Sequence, residues 1–376
     1  MERESRNILL LALVAVVILI ASRYNLLTPR GMQTARESVR VWWAAHGWMV
    51  LLGLAVLLAA AVALWLWRRA QNAAAQRALL ERVASGPTLQ LLPRADWKPV
   101  DPEEVQVWVR LADALPHDEH ISFEAGGGEN GLSFALHGSA EGVRAALTQF
   151  KAEWTGLFHK PGGESVPSGW AVWWVELAPA AFERAVQAAS ADPLRAILIE
   201  INGVQGQGCG LVQVIARRNF GVRRALGQKA FAARDEETPS KGVRALRTQE
   251  AKELEARARA TYLDVTVRAV GLADTPERAQ GIARGLARAI AASFDGNNPV
   301  QPVRQGSDPQ IVMRREPGRM APWSANDLAF LAHLPGRDLI QLAPRLATAP
   351  ARYLPADPEM RFDAGRHHTA FLMEAK

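Results

Sequence analysis

A single cysteine in 376 residues leaves no partner for an intramolecular disulfide and no thiol cluster for a structural zinc. Lysine is nearly as scarce, at seven of the 44 basic residues. None of the seven (Lys98, Lys151, Lys160, Lys229, Lys241, Lys252 and Lys376) follows a glycine. That excludes the Gly-x4-Gly-Lys-Ser/Thr loop, whose lysine must reach the β- and γ-phosphates. The chain also lacks a Gly-x-Ser-x-Gly elbow and a His-Glu-x2-His pair. His117-Asp-Glu-His120 has no third ligand at a metal-binding spacing, and His367-His368 is similar. Cys209 sits among glycines with no histidine near it in sequence. These absences leave no catalytic, cofactor-binding or metal-binding set, so the sequence reads as a protein without enzymatic activity.

Charge is missing from two N-terminal stretches. Asn7 to Ser22 carries none, but at ~1.5 Å rise per residue it reaches only roughly 24 Å, short of a ~30 Å hydrocarbon core. A secretory signal peptide is the rival reading, since Arg3 and Arg6 precede the apolar run; Ser22-Arg23-Tyr24 gives it no clean cleavage site. Val41 to Trp67 has no Asp, Glu, Lys or Arg. It has Trp42, Trp43 and Trp48 at one end, Trp65 and Trp67 at the other, and Arg68-Arg69 as a basic stop, the pattern of a spanning helix. Two spans place both termini on one side. The lone thiol favours the cytoplasmic side for the large domain, so the expected localisation is the cell (inner or plasma) membrane, multi-pass.

The remainder alternates strand and helix patterns. Val105 to Arg110 alternates apolar and polar, although Pro102-Glu103-Glu104 also suits a helix start. Ile121–Glu124 and Leu132–Leu136 alternate around a glycine-rich turn, which predicts a hairpin, and a helix follows from Ser139 to Trp154. Trp170 to Leu177 reads as a strand. Leu194–Ile201 and Leu211–Ala216 read as a second hairpin across Gly203–Gly210, followed by a helical excursion over 218–259. Thr261–Ala269 is an expected strand with Tyr262, Asp264, Thr266 and Arg268 on one side; Thr275–Phe294 is a helix and Ile311–Arg314 a strand. The pattern occurs twice. The expected fold is α+β: two N-terminal transmembrane helices followed by two split-βαβ (ferredoxin-like) modules. The boundaries are 1–83 for the membrane hairpin and juxtamembrane helix, 84–185 and 186–318 for the modules, and 319–376 for a C-terminal helix and tail.

Residues 217–259 hold twelve basic and six acidic side chains, so this segment equals the net +6 of the whole chain. Its least opposed end carries Arg217, Arg218, Arg223 and Arg224. These four are candidates for contact with DNA phosphates or anionic lipid headgroups. The alternative is an exposed helical excursion kept soluble by charge, with Glu253–Arg257 and Glu255–Arg259 as i,i+4 pairs. Few aromatics interleave, which argues against a single-strand stacking platform.

Three groups of residues recur in a familiar order. The first is Ile121-Ser-Phe-Glu124 with Leu132–Leu136 and Trp154-Thr-Gly156. The second is Asp192-Pro-Leu194 through Leu211–Arg217. The third is Trp323-Ser-Ala-Asn-Asp-Leu-Ala-Phe-Leu-Ala-His-Leu-Pro335, ahead of Arg366–Met373. In this order the chain resembles the non-catalytic N-terminal half of coupling-protein-like ATPases of type IV secretion (conjugation). The resemblance implies a membrane-anchored, non-catalytic component that docks or positions a motor ATPase. It places the end of the chain where the motor's phosphate loop would begin, so no catalytic residue is carried over. It also makes Trp323, Leu328, His333 and Pro335 candidates for motor docking. The partners it implies are a motor ATPase or other secretion subunits and the membrane, with DNA and a second copy of the chain as further partners. The alternative function is a membrane-anchored nucleic-acid or anionic-lipid binding protein acting through 217–224.

Overall fold

Nine strands among the described residues form one antiparallel sheet, in the order β4-β1-β3-β2-β6-β7-β5-β8, with β9 paired to β7. The computed structural model describes residues 29–95, 101–129, 131–154, 156–162, 169–188, 192–235, 241–294, 296–343 and 345–349. The chain divides into two units, Met1–Gln76 and Arg77–Lys376. Helix α1 is Pro29–Ala84. In the first unit its side chains at Trp48, Leu52, Val56, Leu57, Trp65 and Trp67 are exposed, and the Arg69 guanidinium lies 5.4 Å from the Trp65 ring centroid.

No helix among the described residues is long and apolar enough to cross a membrane. That corrects the expectation of two N-terminal spanning helices, and with it the multi-pass membrane localisation. The segment 41–67 is part of a single helix that also takes in Arg30, Arg36, Glu37, Arg40, Arg68 and Arg69, where a charged loop followed by a discrete span was expected. The other expected span, Asn7 to Ser22, lies outside the described residues.

In the second unit the elements are β1 (Thr88–Leu92), α2 (Asp101–Ala114), β2 (His120–Gly128), β3 (Gly131–Gly138), α3 (Ala140–Glu153) and β4 (Phe158–Pro161). There follow β5 (Ala171–Pro179), α4 (Pro193–Asn202), β6 (Gly208–Arg218), α5 (Val222–Asp235), α6 (Lys241–Arg259), β7 (Tyr262–Ala273), α7 (Pro276–Ala292) and β8 (Val300–Gly306). The chain continues into α8 (Pro309–Met313), β9 (Ala321–Ser324), α9 (Ala325–Ala329) and α10 (Arg337–Leu342). In place of two separate modules there is one continuous sheet. β2 of the first half pairs antiparallel with β6 of the second, from His120↔Arg217 to Gly128↔Cys209.

Period-2 patterning decides the faces of that sheet. Ile121, Phe123 and Ala125 on β2, Val212, Val214 and Ala216 on β6, and Val265, Val267 and Ala269 on β7 share one face. They pack with α2, α3, α4 and α7 into the main core. Trp108 stands edge-on to Phe123 and Phe150 at 6.2 and 6.0 Å, and its indole donates to the Ala332 carbonyl at 2.7 Å.

Three elements differ from the sequence expectation. Residues 194–201 are helical. Asp192 accepts from the Leu194 N–H at 2.8 Å as the cap, Pro193 occupies the first turn, and Leu194, Ile197, Leu198 and Ile201 bury one helical stripe. Ile311–Arg314 is likewise the end of a short helix, capped by Asp308 on the Gln310 N–H, and the last strand of the second half is Val300–Gly306 instead. Val105–Arg110 belongs to α2.

The opposite sheet face carries a row of polar groups. Register places Glu124 beside Gln213, Gln213 beside Arg268, and Arg268 beside Glu176, all four at most 2 % exposed. Arg268 donates to Glu176 Oε1 at 2.8 Å, to Gln213 Oε1 at 3.1 Å and to the carbonyls of Ile311 and Glu316. Gln213 donates to Glu124 and to the Val312 carbonyl. Residues 309–319 are thereby strapped across the sheet. Helix α8 ends in a Schellman motif, with Glu316 N–H bonded to Ile311 O and Arg315 N–H to Val312 O. Its left-handed position is Arg315, φ 49°, where glycine is usual. The reversal returns the Arg315 guanidinium to Glu124 at 3.0 Å.

Burial pushes the Arg268 guanidinium below the usual arginine range, and Glu176 opposes that shift. Glu176→Gln leaves this charge buried without its partner, so urea denaturation should show a loss of about 3 kcal/mol or more. Asp192→Ala removes a helix cap, and the same measurement should show a loss of about 1 kcal/mol.

Candidate functional site

The two halves of the sheet differ most in their middle connections. In the first half, two residues separate β2 from β3. In the second, β6 and β7 are joined by a 43-residue excursion (219–261) that forms α5 and α6. This arm is the expected basic segment.

Its base is fastened by side chains. Asn219 Oδ1 accepts from the N–H groups of Gly221 and Val222, starting α5, while its amide donates to Asp264. Val222, Leu226, Ala230, Leu254 and Tyr262 form a small core between α5, α6 and β7. Arg257, on the last turn of α6, donates to Asp327 at 3.1 Å and to the Phe182 carbonyl at 3.1 Å. Asp327 is itself the third residue of the Ser324 capping box on α9. Lys229 pairs with Glu183 and lies 5.1 Å from the Phe182 ring centroid.

The four arginines singled out by charge stand at this base with unequal freedom. Arg217 pairs with Asp264 at 3.2 Å. Arg218 faces Asp113 at 3.7 Å and covers the Phe220 ring at 4.7 Å, and Phe220 stacks on His117 at 4.9 Å. Arg223 donates to the Ala258 carbonyl at the end of α6. Arg224 is exposed. Three of the four therefore already hold contacts within the chain. The acids that hold Arg217 and Arg218 were not singled out from sequence, although the alternation along β7 had already put Asp264 on the polar side of its strand.

The other predicted group is internal. Trp323 and Leu328 are fully buried, and His333 and Pro335 are buried as well. Trp323 meets Phe294 edge-on at 6.1 Å. His333 Nε2 lies 3.2 Å from Asp192 Oδ1, so it braces the cap of α4. These four side chains are buried within the chain itself, and what the segment presents outward is Asn326 and Phe330, the latter 41 % exposed. On the arm three large apolar residues are exposed: Phe220 at its base, already stacked on His117 and covered by Arg218, and farther out Phe231 at 68 % and Leu246 at 73 %. Residues 366–373 lie outside the described residues.

No family model matches this chain, and no curated protein matches it. Among solved structures, an anthrone oxidase-like protein aligns with 60% of this chain and 95% of its own, at 12% identity and a TM-score of 0.17. A likeness at that score carries no argument for fold or function.

Two histidines lie under the strap. His137 Nε2–H donates to the Val83 carbonyl at 2.9 Å, and its Nδ1 accepts from the Thr88 hydroxyl at 2.8 Å. Burial, and then the charge of Arg315, lower its pKa to about 4; burial lowers His120 to about 4 as well. The unfolded chain binds protons at these residues near pH 6.5 and the folded chain only near 4, so stability is full above 6.5 and falls as pH drops from 6.5 toward 4. Thermal melting across that window should decline, by on the order of 3 kcal/mol per histidine. His137→Asn should flatten part of the decline.

Proposed function

We propose that the chain is a non-catalytic docking component of a type IV secretion (conjugative DNA-transfer) machine, and that it positions a motor ATPase through the α5–α6 arm. The motif order in the sequence supports the machine. The observation that carries the docking reading is the arm itself. It stands where the first half has a two-residue connection, is tied at its base by Arg257, Asn219 and Lys229, and holds Phe231 and Leu246 outward. Exposed aromatic and aliphatic anchors on a braced helix pair suit a protein partner. The arm's surplus of positive charge suits an acidic surface on that partner.

Phosphate contact by Arg217, Arg218, Arg223 and Arg224 has weaker support, because a phosphate would have to displace Asp264, Asp113 and the Ala258 carbonyl. The test is co-purification with the P-loop ATPase of the same transfer system, together with transfer frequency in cells. Phe231→Asp with Leu246→Asp should reduce both at least tenfold and leave the melting temperature unchanged, since both residues are exposed. Unchanged association would overturn the docking reading. Duplex DNA affinity whose log–log salt slope weakens by ~0.9 per arginine removed would favour the phosphate reading instead.

A further inference from the structure

The strapped face of the sheet also holds a cleft of about 890 Å³, at the end of β2 and β6 away from the arm. That volume lies in the ~300–1,000 Å³ range of small-molecule sites. Three properties define what fits it.

The first is its floor, glycine backbone of β2 with the Leu211 side chain lying across it. Gly126 and Gly128 follow Glu124 on the same face of β2, where a side chain would otherwise stand, and Gly208 lies on the neighbouring β6. A Cβ at Gly126 would come within 2.9 Å of the Leu211 side chain, and one at Gly128 would collide with the Gly208 carbonyl. Glycine within paired strands weakens them and marks a close approach to backbone.

The second is charge. The ionisable acids and bases lining the cleft are Glu124 with Arg315 and Glu129 with Arg345, two of each sign. Glu124 Oε1 already accepts from Ser122, Gln213 and Arg315, and Arg345 donates to the Glu129 carbonyl. No net charge is offered to an ion.

The third is the apolar wall. Trp170, Leu211, Leu272 and Met313 line the cleft beside the glycine floor.

We infer that this cleft binds a small, uncharged, planar molecule, an aromatic or conjugated ring system lying over Gly126 and Leu211 against Trp170 and Leu272. With no side chain on Gly126, the Leu211 side chain lies across the strand there, and a flat face suits that surface. A neutral ligand suits this balance of charge, since an ion drawn to Glu124 or Arg315 would have to break their buried pair. The apolar wall supplies the burial that drives binding.

The chain's single cysteine provides the reporter, because Cys209 lines this cleft and is partly exposed. Burial raises its thiol pKa, so alkylation by N-ethylmaleimide at pH 9, followed by intact mass, is limited by access and ionisation. Saturating naphthalene-2-methanol should slow alkylation of the full chain at least tenfold. Two comparators should slow it less than twofold: 2-naphthoate, planar but anionic, and decahydro-2-naphthol, neutral with the same skeleton but not planar. Gly126→Val, which narrows the floor, should abolish protection. No protection by naphthalene-2-methanol, equal protection by either comparator, or full protection in a folded Gly126→Val chain would each overturn the assignment. Should that variant fail to fold, the three probes on the unaltered chain decide alone. Loss of the arm residues Phe231 and Leu246 should leave protection unchanged, so this result and the docking result are independent.

Discussion

The buried pair of Arg268 and Glu176 is the contact on which the polar face of the sheet depends. Both side chains are fully buried and 2.8 Å apart. A charge so deep in the structure is tolerated only when its hydrogen-bonding capacity is used. Arg268 engages both terminal nitrogens, drawing two carbonyls of the 309–319 segment onto the sheet and leaving only its Nε without a partner, and Gln213 draws a third carbonyl. The strap is therefore held both by what the charge needs and by Val312 and Ile311 packing on Val172, Trp174, Val270 and Leu272, and Arg315 closes it through Glu124. The cleft takes one wall from the same strap, so its shape also depends on the Arg268 pair.

The two sheet faces show how a strand divides its work. Toward the helices, Val, Ile, Leu, Phe and Trp fill a continuous core. Toward the strap, the same strands carry Glu124, Gln213, Arg268 and Glu176 in lateral register. A slip of one residue of β2 against β6 would turn Glu124 toward the core and Phe123 toward the strap. The buried charges thus make the pairing of the two halves specific.

The hairpin of β2 and β3, the helix after Ser139, strand β7 and the helix after Thr275 were all legible, because each has a clear period and a matching cap or turn. Leu194–Ile201 was not. A short apolar run has no decisive period, and only the Asp192-Pro193 entry distinguishes a capped helix from a strand. The buried row was half legible: Asp264, Thr266 and Arg268 stood on one side of their strand, but their partners Glu176 and Gln213 are 92 and 55 residues from Arg268. The charge arithmetic found the arm and missed the acids that hold its base. Trp323, Leu328, His333 and Pro335 stood out by chemical character, which does not distinguish a core residue from a contact. The glycines beside Glu124 read as an ordinary turn until β6 was seen to lie against them.

Strand β6 connects the cleft to the arm. Its first residues, Gly208 and Cys209, border the cleft; its last, Arg217 and Arg218, begin the arm. Eleven residues of extended chain separate these ends by roughly 35 Å, and between them lies the most tightly bonded part of the sheet. Insertions and substitutions at one end are insulated from the other by that rigid length. The cleft and the arm can therefore be altered by separate substitutions, with the central strands as their common frame.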